Sequence, residues 1–279
     1  MGYAEGSRWN AFEAKDLCYI GGPHDTPLLE DNDGEDIDPN HASHFAFNLV
    51  FGCQTLVTGL FKTQLADGIM GMDMRAEAFW YQMFDADKMD EKKFSLCFSR
   101  QPTADRKGTE AGALTLGGTD TRLHDSEMVY TEKASGGRAG FFSTKIRKAY
   151  LRDGTAGERS RSIHKDQTTG VAEIDISYAA LNSGGVIVDS GTTDTYLTKN
   201  LAAPFTKAFH EMTGKSYSHS SLSMTKADLD ALPTILFQLE ANPDDNQGKT
   251  NGLAGDLDPD HPQDVLLAIP PSHYVRSES

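Results

Sequence analysis

The residues best suited to chemistry lie where an apolar run meets a carboxylate. The segment reads VIVDSGTT, in which Asp189 is followed by the hydroxyl residues Ser190, Thr192 and Thr193, with Gly191 between them. A carboxylate can take a proton from water or give one to a reacting group, and neighbouring hydroxyls can orient it. A glycine beside the acid lets another backbone approach closely. The cluster therefore predicts acid–base chemistry centred on Asp189, delivered by a buried strand.

Two other interpretations of this segment compete with that one. Asp-Ser-Gly is a common turn sequence, and alone it is more often structural than catalytic. The segment also resembles the Gly-Asp-Ser-Gly-Gly surround of chymotrypsin-like serine proteases. However, Val188 precedes the aspartate and Thr192 follows the glycine, which removes the backbone freedom that an oxyanion-hole turn uses. The serine-nucleophile interpretation is therefore rejected.

The segments that must position Asp189 read mainly as short strands. They are rich in β-branched and aromatic residues and are bounded by Gly, Pro or Asp, which is typical of strands. Many short strands without alternating helices predict an all-β fold. The predicted strands are residues 44–53, 93–99, 112–118, 143–151, 184–191, 234–240 and 265–269.

Two segments have helical spacing instead. In each, the apolar residues fall on one face of a helix, which predicts packing against a core and not a cofactor site. The first set is Ala76, Phe79, Trp80, Met83 and Phe84, and the second is Leu197, Leu201, Phe205, Ala208, Phe209 and Met212.

Six short motifs together resemble a known family. Between Tyr3 and Tyr274 they occur in the order found in pepsin-like aspartic peptidases, so the resemblance implies a bilobal all-β fold and endopeptidase activity on polypeptides without cofactor or metal. The pairing of FGCQ with FSLC, and the phrase TGLFKTQLADGI, look closer to the branch with nepenthesin-like enzymes and plasmepsin V. The motifs are YAEGS (3–7), ADGIMGM (66–72), FSLCFS (94–99), GALTLGG (112–118), VIVDSGTT (186–193) and IPPSHYV (269–275).

The resemblance also implies roles for particular residues. Asp189 resembles the second of the family's two catalytic aspartates, while Asp67 matches a structural turn and has little catalytic weight. The remaining matches are substrate-binding positions: Gly191, Thr192 and Thr193 beside the aspartate, and Tyr3, Gly6 and Ser7 in a β-hairpin flap over the cleft. The segment from Tyr3 to Tyr19 is expected to form that hairpin or strand pair.

The chain departs from the family pattern in its count of catalytic motifs. No second Asp-Thr/Ser-Gly occurs in the 279 residues. We therefore expect a fragment truncated at both ends, with part of the N-terminal lobe at 1–125 and an incomplete C-terminal lobe at 126–279. Such a chain alone is expected to be inactive. The alternative is a non-catalytic pseudopeptidase that binds peptides or inhibits a partner.

The cysteines carry a further expectation from the same resemblance. In the resembling branch the cysteines that match Cys53 and Cys97 are joined by a disulfide, and the alternative is a pair of buried free thiols. Cys18 has no obvious partner in the sequence.

Composition excludes several classes of partner. The formal net charge is −15, so nucleic acid is an unfavourable ligand, and no apolar run is long enough to span a membrane. The acidic stretches 30–38 and 244–264 read as solvated loops without calcium-loop spacing. His-Glu-x-x-His and Cys-x-x-Cys are absent from the sequence, which gives a zinc site no support.

We expect the chain to be a monomer. A secreted or endomembrane location is implied only by the family resemblance.

Overall fold

The computed structural model describes residues 2–3, 6–20, 45–63, 67–98, 112–135, 140–154, 170–192, 194–217 and 223–275. The chain divides into two compact units, unit 1 (residues 1–125) and unit 2 (residues 126–279). This division coincides with the boundary expected from the sequence. The identification of each unit with a protease lobe stays a prediction.

The described part of unit 1 contains two separate strand pairs and one α-helix. Strand β1 (Trp9–Cys18) pairs antiparallel with β2 (Phe47–Val57), and β3 (Phe94–Phe98) pairs antiparallel with β4 (Gly112–Leu116). Helix α1 (Phe79–Asp85) follows a one-turn 3₁₀ helix at Gly59–Lys62.

The side-chain amide of Gln82 in helix α1 forms two hydrogen bonds with strand β2. The Gln82 side chain accepts a hydrogen bond from the Val50 N–H at 2.9 Å and donates one to the Val50 carbonyl oxygen at 2.9 Å. The buried core at this junction consists of Phe47, Phe79 and Met83. This apolar face of α1 is the one that the sequence predicts, so the first helix prediction is confirmed.

Unit 2 contains a four-stranded antiparallel sheet in the order β10-β9-β6-β7. Its members are β6 (Ile146–Arg152), β7 (Val171–Glu173), β9 (Thr234–Leu239) and β10 (Val265–Ile269). A second, smaller pair joins β5 (Ser143–Thr144) to β8 (Val186–Ile187). The helices of unit 2 are α2 (Tyr178–Leu181), α3 (Lys199–Thr213), α4 (Lys226–Asp230) and α5 (Pro271–Tyr274), with 3₁₀ turns at Pro243–Asn246 and Gly255–Leu257.

The central strand β9 is covered on both faces, which explains its nearly continuous apolar sequence. On one face Ile235 and Phe237 pack in a cluster with Leu201, Phe205 and Phe209 of α3. On the other face Leu236 packs with Tyr150 and Leu266, and with partly buried Leu257 from the β9–β10 connection. The second predicted helix is therefore confirmed as core-facing, except that Leu197 precedes α3 and is exposed.

The all-β fold class is confirmed, and each of the seven predicted strands overlaps an observed one. The ends differ, most clearly at 184–191, where only Val186–Ile187 is a strand. Strand β1 lies in the segment Tyr3–Tyr19, where the sequence predicts a hairpin or strand pair, but its partner is β2, outside that segment. Strand β7 was not predicted from the sequence.

The expected disulfide between Cys53 and Cys97 is wrong. All three cysteines, Cys18, Cys53 and Cys97, are free thiols. Cys53 lies in β2 opposite Phe12 of β1, whereas Cys97 lies in β3 opposite Ala113 of β4. Each cysteine therefore belongs to a different two-stranded sheet, and the Cys97 thiol faces the Leu123 carbonyl oxygen at 3.9 Å.

Candidate active site

Asp189 is presented by the short pair of strands β5 and β8. Ser143 pairs with Ile187 and Thr144 with Val186, and the Val188 N–H donates to the Phe142 carbonyl oxygen at 2.8 Å. After Val188 the chain leaves the sheet and enters a turn. Asp189 is therefore the first side chain beyond the last sheet hydrogen bond, where it is exposed to solvent.

Both carboxylate oxygens of Asp189 accept a local hydrogen bond. The Gly191 N–H donates to Oδ1 at 2.8 Å, and the Thr192 hydroxyl donates to Oδ2 at 2.5 Å. A carboxylate has about four lone-pair positions, so these two bonds orient the group without saturating it. An exposed, oriented carboxylate of this kind can bind and polarise a water molecule or a substrate group.

Gly191 is needed for this arrangement for a reason of space. A Cβ atom at this position would lie 3.3 Å from the Asp189 Oδ1 oxygen, closer than most such contacts. Any larger residue would press on the oxygen that the Gly191 N–H binds. The glycine therefore keeps the carboxylate against its own turn.

The predicted burial of the strand before Asp189 is wrong. Val188 is 66% exposed, and Ile187 is also exposed. Strand β8 has only two residues, and β5 is its one neighbour in the part of the chain that the structure describes. A two-residue strand with one neighbouring strand does not have enough surrounding structure to bury its apolar side chains.

The other predicted substrate-binding residues are dispersed. Thr193 lies outside the described residues. Tyr3, Gly6 and Ser7 belong to unit 1, where Gly2 and Arg8 form an isolated antiparallel bridge around them. Their placement over Asp189 stays a prediction.

Within this turn the three residues have different surroundings. The Gly6 N–H donates to the Tyr3 carbonyl oxygen at 3.1 Å, and the Tyr3 ring packs edge-on against Phe61 at 5.1 Å between centroids. Ser7 is buried, and its Oγ accepts a hydrogen bond from the Leu60 N–H at 3.0 Å. The Ser7 hydroxyl therefore stabilises the turn. Strand β1, which continues from Trp9, pairs with β2 and not with the Tyr3 segment.

The acidic stretch 244–264 contains a polar cluster that the sequence did not predict. Asp258 and Asp264 are each only 3% exposed, so the expectation of a fully solvated loop is wrong for these two residues. They are held by hydrogen bonds and cations from strands β6 and β9. The one available signal was the pair of cations Arg147 and Lys148 inside an otherwise apolar strand. The stretch 30–38 lies outside the described residues.

The described residues contain neither a metal-ligand group nor a helix that could span a membrane. No group of three or more His, Cys, Asp and Glu side chains is placed to hold a metal ion. No helix in the described ranges has the length and apolar character that a membrane span requires.

The family of the chain follows from its sequence match. The family model for eukaryotic aspartyl proteases matches residues 46–247, a range that includes Asp189 and its turn. The chain matches no curated protein. Because the family match covers most of the 279 residues, the chain belongs to the eukaryotic aspartyl protease family, whose members are peptidases that act on polypeptides.

Proposed function

We propose that Asp189 is one of the two carboxylates of an aspartic endopeptidase centre that cleaves polypeptides with an activated water. The observation that carries this proposal is the exposed Asp189 carboxylate, oriented by one hydrogen bond to each oxygen. The family match supports the reaction class. We further propose that Gly191, Thr192 and Thr193, with Tyr3, Gly6 and Ser7 of the flap, contact the substrate.

The chemistry needs two carboxylates that share one proton. Like charges about one hydrogen bond apart cannot both ionise, so one carboxylate stays protonated and polarises the scissile carbonyl. The other acts as general base on the attacking water. Asp189 can occupy either role, with the Gly191 N–H and Thr192 hydroxyl holding its orientation in both.

We propose that the 279-residue chain by itself does not turn over substrate. Asp189 lies in the single Asp-Ser-Gly of the sequence, and Asp-Thr-Gly does not occur. A lone carboxylate supplies either the base or the acid, and the reaction uses both at once. The same observation favours a second candidate function, a pseudopeptidase that binds peptides or inhibits a partner without cleaving them.

The finer family branch and the oligomeric state also remain proposals. The phrase TGLFKTQLADGI supports the nepenthesin and plasmepsin V branch, while the free thiols of Cys53 and Cys97 count against it. We propose a monomer in solution.

The role of Asp189 can be tested by binding as well as by turnover. The probe is a peptide in which a hydroxyethylene group replaces the scissile amide, because its tetrahedral, hydroxyl-bearing carbon mimics the attacked carbonyl carbon in the transition state. We expect the wild-type chain to bind this probe at pH 4–5 and Asp189→Ala to bind it at least about tenfold more weakly. Asp175→Ala, which removes an exposed aspartate elsewhere in unit 2, is the matched control.

A hydrolysis assay on a denatured protein at about pH 3–6 completes the test. No turnover, together with probe binding that depends on Asp189, supports the proposal. Turnover that disappears in Asp189→Ala upholds the role of Asp189 but overturns the proposed inactivity. Equal probe binding by both aspartate variants and the wild type would refute the proposed site.

A further inference from the structure

A second polar site lies in unit 2, where the β9–β10 connection folds back over strand β6. The Asp264 carboxylate accepts hydrogen bonds from Arg147 Nε at 2.5 Å, from Gln238 Nε2 at 2.9 Å and from the Ala241 N–H at 3.1 Å. Its burial is therefore fully compensated by hydrogen bonds and one cation. This anchor holds the end of the connection against the sheet.

Asp258 is a second anchor of the same connection. Its Oδ2 oxygen accepts a hydrogen bond from Gln238 Nε2 at 2.8 Å and lies 3.4 Å from Lys148 Nζ and 3.4 Å from His261 Nδ1. Gln238 is itself fixed, because its Oε1 accepts a hydrogen bond from the Tyr150 hydroxyl at 2.7 Å. The two buried carboxylates and the amide between them form a rigid floor.

Above this floor is a pocket of about 440 Å³, which we call the acidic pocket. This volume falls in the range of small-ligand sites. Two cationic side chains in its lining face three carboxylates, and Asp264 stands directly behind Arg147. The pocket is lined by Arg147, Lys148, Tyr178, Glu240, Asp258, Asp260 and His261.

The carboxylates of the acidic pocket differ in how far they are neutralised. Asp258 is paired with Lys148, and Glu240 shares Arg147 with Asp264, at 3.4 Å from Arg147 Nη2. Asp260 is exposed and has no ion pair among the described residues. Asp260 therefore keeps an uncompensated negative charge, whereas Asp258, Glu240 and Asp264 each form an ion pair with Lys148 or Arg147.

The wall of the pocket adds an aromatic surface. Tyr178 is 42% exposed, and Lys145 Nζ lies 5.8 Å from the centroid of its ring. A cation over an aromatic face is attracted by the ring quadrupole, and Lys145 already makes this contact. A cationic ligand at this wall would therefore take the place of the Lys145 ammonium group. An anionic ligand would instead meet the excess of carboxylates. The carboxylates and His261 in this lining are not among any group of three or more side chains placed to hold a metal ion in the described part of the chain.

We propose that the acidic pocket binds the cationic side chain of a lysine or arginine in a peptide. This inference rests on the proposed function, since the peptide would be the one presented to Asp189. The ammonium or guanidinium group would lie between Asp260 and the Tyr178 ring, with the aliphatic stem of the side chain filling the remaining volume. The negative net charge of the chain would favour the approach of such peptides.

The acidic pocket and Asp189 are linked through neighbouring strands of unit 2. Asp189 follows strand β8, which pairs with β5, and Arg147 lies in β6, which begins two residues after the end of β5.

The test measures peptide binding in the 279-residue chain carrying Asp189→Ala, so that cleavage cannot intervene. The probes are two capped six-residue peptides that differ in one central residue, lysine in one and glutamate in the other. We expect the lysine peptide to bind at least about tenfold more tightly at low salt. That preference should shrink as sodium chloride is raised, because salt screens the charges.

Two carboxylate variants locate the site. Asp260→Asn should weaken binding of the lysine peptide about fivefold, as expected for the loss of one charge contact in an exposed setting. Asp244→Asn removes an exposed carboxylate of the same connection outside the pocket and should leave binding unchanged. Equal binding of the two peptides would overturn the proposal. So would equal effects of the two variants, or no effect of Asp260→Asn.

These outcomes are separable from those of the proposed function. The acidic pocket is tested in a chain without Asp189, whereas the proposed function depends on the effect of removing Asp189. Lysine preference without any role for Asp189 would leave a basic-peptide site and reject the peptidase centre. A role for Asp189 in probe binding without a preference for the lysine peptide would support the peptidase centre and reject the basic-peptide site.

Discussion

Unit 1 and unit 2 are both built from antiparallel strands, but they differ in how much apolar surface they bury. Unit 2 covers both faces of its central strand β9 with side chains from α3 and from the β9–β10 connection. In the described part of unit 1 there are two isolated strand pairs, and three residues form the buried cluster. A lone strand pair is only marginally stable in water. Strand content alone therefore does not make a core.

The comparison extends to the surfaces of the strands. In the β1–β2 pair several large apolar side chains are exposed, with Phe12 at 57%. In unit 2 even polar residues are buried, because the Gln238 side chain donates hydrogen bonds to the carboxylates of Asp258 and Asp264. Among the described residues, unit 2 therefore buries more than unit 1, and four predictions test this contrast.

The largest effect is expected from truncating an apolar side chain in the core of unit 2. Leu236 is 1% exposed between Tyr150 and Leu266, so Leu236→Ala should lower the free energy of unfolding by about 3 kcal/mol. Phe12→Ala in unit 1 removes a larger side chain that is mostly exposed and should cost less than about 0.5 kcal/mol. Urea unfolding followed by circular dichroism measures both. Similar costs for the two variants would contradict the contrast between the units.

A smaller effect, about 2 kcal/mol at pH 7, is expected when a buried charge of unit 2 is neutralised by Asp258→Asn. Burial alone would raise the pKa of Asp258, but the hydrogen bond from Gln238 and the positive charge of Lys148 together lower the pKa below its usual value. A carboxyl whose pKa is lowered by folding stabilises the protein above its unfolded-state pKa of about 3.9. That contribution is lost as pH falls through the lower, folded-state pKa.

The pH profile distinguishes this role from a general effect of mutation. Wild-type stability should decline below about pH 4, and the decline should be shallower in Asp258→Asn because one proton-linked group is gone. Asp256→Asn changes an exposed aspartate two residues away and should keep the wild-type profile. Parallel profiles for wild type and Asp258→Asn would show that Asp258 does not carry the linkage.

The contrast also explains what the sequence could predict. Most strands of unit 2 were predictable because an apolar run such as TILFQL is buried on both faces. For β1 the partner predicted from the sequence was wrong, because Glu13, Lys15 and Asp16 interrupt its apolar pattern and its pairing with β2 joins distant residues. The Cys53–Cys97 bridge failed as a prediction because the residues gave no information on which sheet each cysteine joins.

Asp189 and the acidic pocket also differ in how far the sequence could predict them. The hydrogen bonds around Asp189 come from residues two and three positions away, so a short motif contains the whole arrangement. The acidic pocket joins Arg147 to Asp264 across 117 positions, and a local pattern cannot show such a pair. Local chemistry was therefore predictable, while the buried ion pairs required the fold.

An effect of about 1 kcal/mol is expected at the helix caps, which also differ between the units. Helix α4 of unit 2 begins with a capping box in which the Thr225 hydroxyl accepts a hydrogen bond from the Asp228 N–H at 3.1 Å. Helix α1 of unit 1 begins after Ala78, which has no side-chain cap. Thr225→Ala should cost about 1 kcal/mol in urea unfolding, whereas Thr225→Ser should keep most of the stability. Equal losses in the two variants would assign the effect to the threonine methyl group and not to the cap.

The smallest effect is expected from reducing agent, and it concerns unit 1, which contains all three cysteines. A disulfide between Cys53 and Cys97 would close a long loop and stabilise the thin core of unit 1 by several kcal/mol. Because Cys53 and Cys97 lie in different two-stranded sheets as free thiols, dithiothreitol should leave the melting temperature unchanged. Three thiols should react with a thiol reagent in denaturant without prior reduction, and Cys53→Ser should behave like the wild type in both measurements. A melting temperature that falls on reduction, together with a single reactive thiol before it, would show a bridge. Unit 1 would then be stabilised by a covalent link, and the expected difference in stability between the two units would shrink.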